Sequence, residues 1–224
     1  MPVIKTIVCL ANSRKPSGRC IAGCALDVNP TAWIRPVSNR EHGEVSENER
    51  QYQDGSDPKV LDIIRVPLIS ACPNGCQQEN WILNPNFYWD KAGVATWVDL
   101  SKYAAHSGRL WLNGSHTYHG KNDQLLDADA LSLESSLQLI HVPSVVVKVF
   151  APQSDFGNPK RRVQAKFSFA GISYALWVTD PIIERKYLAA PDGEYLLNES
   201  YLTISISEPF NQFRYKLVAA IISR

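Results

Sequence analysis

The sequence is poor in several things, and each scarcity excludes something. It has one methionine and five cysteines in 224 residues, and no low-complexity tract. An odd number of cysteines argues against a disulfide framework. The longest nearly apolar stretches, such as Leu217 to Ile222, fall far short of the ~20 residues a bilayer-spanning helix needs. Met1-Pro2-Val3-Ile4-Lys5 shows no cationic leader ahead of an apolar run, so the expectation is a cytoplasmic chain with no signal peptide and no membrane partner. Lys+Arg 23 against Asp+Glu 22 leaves a net charge of +1, with both halves balanced, so any charged site must be a local cluster. Only 20% of residues are charged while 45% are hydrophobic, which excludes intrinsic disorder. Gly-x-Ser-x-Gly, His-Glu-x-x-His and dinucleotide fingerprints are absent, so no familiar enzyme motif presents itself.

What the chain does have is aromatic weight, Trp 6, Tyr 9 and Phe 7, and legible β patterning. Val145-Val146-Val147-Lys148-Val149-Phe150 is a β-branched strand. After a polar loop from Ala151 to Lys160, Val163, Ala165, Phe167 and Phe169 alternate with polar residues. Ala170-Gly171 turns the chain, and Ile172, Tyr174, Leu176 and Val178 alternate in turn, completing a hairpin. Asp180-Pro181 opens a helix, with Asp180 as N-cap and Glu184 placed for a capping box, so both carboxylates read as structural. Pro191-Asp192-Gly193 turns back into strands around Leu202–Ile206 and Phe213–Ile222. Strand, strand, strand, helix, strand, strand is the connectivity of an OB barrel.

The N-terminal half opens with a strand from Val3 to Leu10, followed by a loop from Asn12 to Arg19. A short strand follows at Trp33–Arg35, which Pro36 assigns to an edge or an end. A helix is expected within Ser46 to Tyr52 and a strand over Val60 to Ile69. Short helices are expected at Asn84-Pro85 and after Thr96, and a strand at Leu110–Leu112. Cys20…Cys24 and Cys72…Cys76 each enclose three residues. Four thiolates so spaced would permit a zinc, but the spacing is not distinctive. Reduced thiols are the simpler reading, and neither a metal nor a cofactor is assigned.

Short motifs in a fixed order run along nearly the whole chain: Asn12-Ser13-Arg14-Lys15, Gly18-Arg19-Cys20, Trp33-Ile34-Arg35-Pro36-Val37-Ser38, Glu79-Asn80-Trp81, Leu110-Trp111-Leu112-Asn113-Gly114, Asn122-Asp123, Phe156-Gly157-Asn158-Pro159-Lys160-Arg161-Arg162 and Val178-Thr179-Asp180-Pro181. They resemble those of the bacterial proteins called dual OB domain-containing proteins. The resemblance implies a second barrel, so the expected fold is mainly β with short helices. An N-terminal OB-like domain with helical insertions would span 1–140, and a C-terminal OB-like barrel 141–224. The fold suggests nucleic-acid or nucleotide binding and carries over no catalytic residue.

The physical case for binding lies on the C-terminal sheet. With Val163, Phe167, Leu176 and Leu217 turned inward, pleat parity places Gln164, Lys166, Ser173, Trp177 and Thr203 on the other face, joined by Arg214 and Lys216. Cations beside an indole suit a single strand, the cations tracking phosphates while the ring stacks a base. The competing reading is that Trp177 is interdomain core. Lys160, Arg161 and Arg162 form a positive cluster at a strand mouth. Arg14, Lys15 and Arg19 flank Pro16-Ser17-Gly18, whose backbone would suit an anion nest; Arg35 completes the phosphate-binding candidates. Asn113, Ser115, His116, His119, Asn122 and Asp123 make a polar loop suited to a nucleotide-sized ligand.

The leading expectation is therefore a non-catalytic binder of single-stranded nucleic acid or a nucleotide. The alternatives are a nucleotide-processing enzyme with its pocket around Asn113–Asp123, and a protein-interaction module in a bacterial defence system with a protein partner.

Overall fold

The computed structural model describes residues 2–26, 32–105, 108–154 and 157–224. Met1 and Phe156, which entered the sequence reading, lie outside them. The chain divides into two compact units, Met1–Tyr103 with Glu134–Ser136, and Ala104–Leu133 with Leu137–Arg224.

In the first unit, β-branched Val3, Ile4, Thr6, Ile7 and Val8 open β1 (Val3–Lys15). Its first part, Val3 to Val8, pairs with β4 (Asp62–Ala71), and Ile7 to Lys15 pairs with β2 (Gly18–Ala25). One strand serving two neighbours closes the sheet on itself. A bulge between Cys9 and Ala11 bends it. Gly23 lies opposite Cys9, where an added Cβ would stand 2.0 Å from the Val8 carbonyl oxygen, so only glycine fits.

The loop expected over Asn12 to Arg19 is mostly strand. Arg14 faces Arg19 and Lys15 faces Gly18 across a two-residue turn, Pro16-Ser17. β3 (Trp33–Val37) is not at an edge, for it lies between β2 and β5 (Asn80–Leu83). Pro36 is tolerated because β2 pairs only Trp33 and Ile34, so no ladder bond from β2 reaches the missing N–H.

α1 (Glu47–Arg50) starts from a Ser46–Glu49 capping box and ends before Tyr52. The stretch after Asn80 is β5 and β6 (Asp90–Val94), not helix. Asn84-Pro85 forms a turn in which Asn84 Oδ1 accepts from the Asn86 N–H at 3.2 Å. Thr96 does cap a 3₁₀ turn, Trp97–Lys102. The strand order is β1-β2-β3-β5-β4 and back to β1, with β3 parallel to β5 and β6 added outside β4. Ile7, Ile21, Ile34, Ile64, Val66 and Leu83 fill the core.

The second unit contains β7 (Gln124–Leu126), α2 (Asp127–Ala130), β8 (Leu137–Val142), β9 (Val145–Phe150), β10 (Arg162–Phe169), β11 (Ile172–Val178), α3 (Pro181–Leu188), β12 (Gly193–Leu197), β13 (Ser200–Ile206) and β14 (Phe213–Ser223). The five expected strands are β9, β10, β11, β13 and β14. Asp180 caps α3, accepting from Ile182 N at 2.9 Å and Ile183 N at 3.2 Å. Their order, β9-β10-β11-β14-β13 with β11 parallel to β14, repeats that of the first unit. The circuit continues through β8, which pairs with β13 and runs past Pro143-Ser144 into β9.

Leu110-Trp111-Leu112 is not a strand: Leu110 is fully buried, its N–H donating to the Tyr174 hydroxyl at 3.2 Å, and Trp111 takes φ +51°. Among the described residues no helix is long and apolar enough to cross a membrane.

Candidate nucleic-acid interface

Three strands of the second unit build the site. Val147, Val149, Val163, Ala165, Leu176 and Val178 point into the core. Strict alternation then leaves Lys148, Phe150, Arg162, Gln164, Lys166 and Trp177 on the outer face of β9, β10 and β11. Phe150 stands opposite Arg162, and Gln164 lies opposite both Lys148 and Trp177. The Phe150 and Trp177 rings stack across β10, centroids 5.8 Å apart and planes at 25°. The Arg162 guanidinium lies 3.9 Å from the Trp177 ring centroid, and Lys148 Nζ lies 4.4 Å from that of Phe150. Trp177 is half-buried, and Lys166 pairs with Glu194 at 2.7 Å. Lys148 and Phe150 were not singled out from sequence, although the inward alternation of Val145, Val147 and Val149 signals them.

The basic cluster does not act as one. Arg161 departs from the outer face, with Nε on Asp192 at 2.6 Å and its Nη atoms on the carbonyls of Leu188 and Ala190 at 2.9 and 2.6 Å. It thereby supplies donors to the C-terminal end of α3. Lys160 is exposed in the loop before β10, and Arg162 stands on the platform.

Two expected platform cations are interior. On β14, Arg214, Lys216 and Val218 share one side, and Val218 is core, so the expected parity is reversed. Arg214 bonds to Asp127 at 2.5 Å and the Ser207 carbonyl at 3.2 Å. Lys216 is fully buried, its Nζ 5.6 Å from the core ring of Tyr174. Its ammonium donates to Leu112 O at 2.5 Å, Asn113 Oδ1 at 2.9 Å and Asn122 O at 2.8 Å. Burial pulls its pKa down to about 8, with nearby Asp123 acting in the opposite sense. Thr203 is likewise fully buried.

These oxygens belong to a segment seated between β11 and β14. Lys121 exchanges backbone hydrogen bonds with Ala175 of β11, Asn122 Nδ2 donates to Ser173 O at 3.0 Å, and Lys216 N donates to Asp123 O at 2.7 Å. Over the platform, Gln164 Nε2 donates to His119 O at 2.8 Å. The loop expected to hold a ligand is thus hydrogen-bonded to the strands at several points along its length. Asp123 is 1% exposed and accepts from Thr117 N at 2.8 Å and Thr117 Oγ1 at 2.6 Å. Ser115 accepts from Gln124 at 2.9 Å and Asn122 Oδ1 from Gly114 N at 2.7 Å, while His116 is exposed.

Two successive units carry one strand order, and the profile of the dual OB-containing domain matches residues 5–221. The chain belongs to the dual OB-containing domain family. Neither curated proteins nor solved structures yield a match. OB folds bind oligonucleotides and oligosaccharides on the face of their second and third strands and the adjoining loops. In the second OB unit those strands are β10 and β11, which carry Arg162, Lys166 and Trp177, and Lys160 lies in the loop leading to them.

The first OB unit treats its candidate cations differently. Arg35 is buried, paired with Glu79 at 2.7 Å and donating to Ser136 Oγ at 2.7 Å, while Ser136 Oγ donates to Glu79 Oε1 at 2.5 Å. Lys15 Nζ donates to the His42 carbonyl. Arg14 is exposed at the hairpin tip, and the Arg19 N–H donates to Val45 O at 3.0 Å.

A cleft of about 480 Å³ lies between Tyr52, Asp57, Asp62, Trp89 and Lys91. Its deepest carboxylate, Asp62, is occupied by Tyr52 Oη at 2.9 Å and Lys91 at 2.6 Å. Cys24 and Cys76 are buried, Cys20 is half-buried and Cys72 is exposed. Among the described residues no three His, Cys, Asp or Glu side chains gather as metal ligands.

Proposed function

We propose that the protein binds single-stranded nucleic acid, without catalysing a reaction, on the outer face of β9, β10 and β11. The observation that carries this reading is the pairing of each platform ring with a cation: Arg162 at 3.9 Å from Trp177 and Lys148 at 4.4 Å from Phe150. In the free protein the cations rest on the rings. A bound strand exchanges that contact for two better ones, base on ring and cation on phosphate. Lys160 and Lys166 extend the same basic edge, and the position of Arg162 and Trp177 on the second and third OB strands supports the assignment. Free nucleotides would use the same contacts with fewer phosphates, and so bind more weakly.

Association of a labelled oligonucleotide at two salt concentrations tests the reading. Low-salt binding that weakens with salt and drops with Trp177→Ala is expected. Absence of association at low salt, or association indifferent to Trp177→Ala, would overturn it.

A further inference from the structure

We infer that Tyr118 is a base-stacking residue of this interface, reaching beyond the OB strands. The inference rests on the nucleic-acid reading above and deepens it: the bound segment must present unpaired bases, because base faces are closed to a protein ring in a duplex. Tyr118 is 91% exposed, which leaves most of its ring surface open to solvent. Large aromatics usually bury most of that surface.

The loop that carries Tyr118 is tightly fastened on either side. Thr117 is held by both carboxylate oxygens of Asp123, at 2.8 and 2.6 Å. Gly120 packs so closely that an added Cβ would lie 1.9 Å from Asp123 Oδ2. His119 Nε2 lies 2.7 Å from Pro152 O, and its ring meets Phe150 edge-on at 5.6 Å. Tyr118 in turn meets His119 at 4.7 Å with planes at 85°.

The rings therefore form a row, Tyr118–His119–Phe150–Trp177, that leads from the loop onto the platform. Lys148 and Arg162 lie against its inner half, so a polyanion with flat hydrophobic faces matches the surface in both charge and shape. A ring presented on a fastened loop binds with little ordering cost, which is what preorganisation contributes to affinity.

The test uses the full chain and two labelled single strands of about 12 nucleotides, within the span OB units cover, one normal and one abasic with the same phosphates. Tyr118→Ala should weaken the normal strand by about 5- to 150-fold, the loss of one stacked base. Tyr118→Trp should preserve binding. The salt dependence should be unchanged by Tyr118→Ala, since no phosphate contact is removed. The abasic strand should not distinguish Tyr118→Ala from the parent protein. Equal affinity of parent and Tyr118→Ala for the normal strand, or equal weakening on the abasic one, overturns the stacking role alone and leaves the platform standing. If the parent protein binds neither strand at low salt, the platform reading falls, and this inference with it. Binding of a protein partner that Tyr118→Ala abolishes, with strand affinity untouched, assigns the ring to a protein interface instead.

Discussion

Lys216 shows how a single side chain can hold a fold together without an ionic partner in hydrogen-bond contact. Three oxygens around its ammonium anchor the segment from Leu112 to Asn122, and removing the amine leaves them unpaired in a buried place. Lys216→Met is expected to cost about 1–3 kcal/mol in chemical denaturation at neutral pH. The pH dependence has a definite sign. An unfolded lysine titrates near ~10.4, whereas burial brings the folded value down to about 8. Between those limits the unfolded chain binds the proton and the folded one does not, so stability from this group increases as pH rises through the window. The parent protein should gain denaturant midpoint relative to Lys216→Met from pH 8 upward, and a flat difference would refute it. Gly120→Ala tests the same segment, because its Cβ collides with Asp123 and must break the Thr117 clamp; a loss of about 1–3 kcal/mol is expected.

At the scale of elements, α3 is tied at both ends by side chains from outside its own span. Asp180 receives two N–H groups at the start, and Arg161 donates to carbonyls at the end. Asp180→Ala should lower thermal stability by about 1 kcal/mol, while Asp180→Asn, which can still accept, should cost only a fraction of that. The strands set thiol reactivity. Cys9 in β1 and Cys24 in β2 are both pushed up to about 12 by burial, so neither forms thiolate at pH 8. Cys72 is exposed in the loop after β4. A thiol reagent at pH 8 should label Cys72 in the native protein and reach Cys9 and Cys24 only after unfolding, as peptide mapping would read directly.

For the molecule as a whole, a net charge of +1 means that polyanion binding draws on a few placed cations and not on a general field. With Lys148, Lys160 and Arg162 on phosphates, log affinity should fall with log salt at a slope of about 2 for a single strand. Arg162→Ala should reduce that slope by about 0.7. A much steeper dependence, untouched by Arg162→Ala, would place the binding surface elsewhere. A nucleotide-processing activity centred on Asp123 would need that carboxylate accessible, whereas it is the buried clamp of its own loop.

Much of the second barrel was readable because the signals were local. The alternation of Val163 to Phe169 and of Tyr174 to Val178 repeats every second residue, and the Asp180-Pro181 start lies within one turn of the groups it caps. The sequence by itself determined these strands, the α3 cap and the parity that sets Trp177 on the face opposite Leu176. Phe213 to Ile222 was different. With Tyr215 and Leu217 on one parity and Lys216 and Val218 on the other, alternation is degenerate, and a register shift at Thr203/Ile204 changes the pairing. Only the tertiary structure decided that Lys216 faces inward, because the oxygens that make its burial tolerable lie about a hundred residues earlier in the chain. The same holds for the first barrel, whose closure depends on β1 meeting β4 across some sixty residues. Periodicity reports which residues share a face, but what covers that face is set by partners distant in sequence.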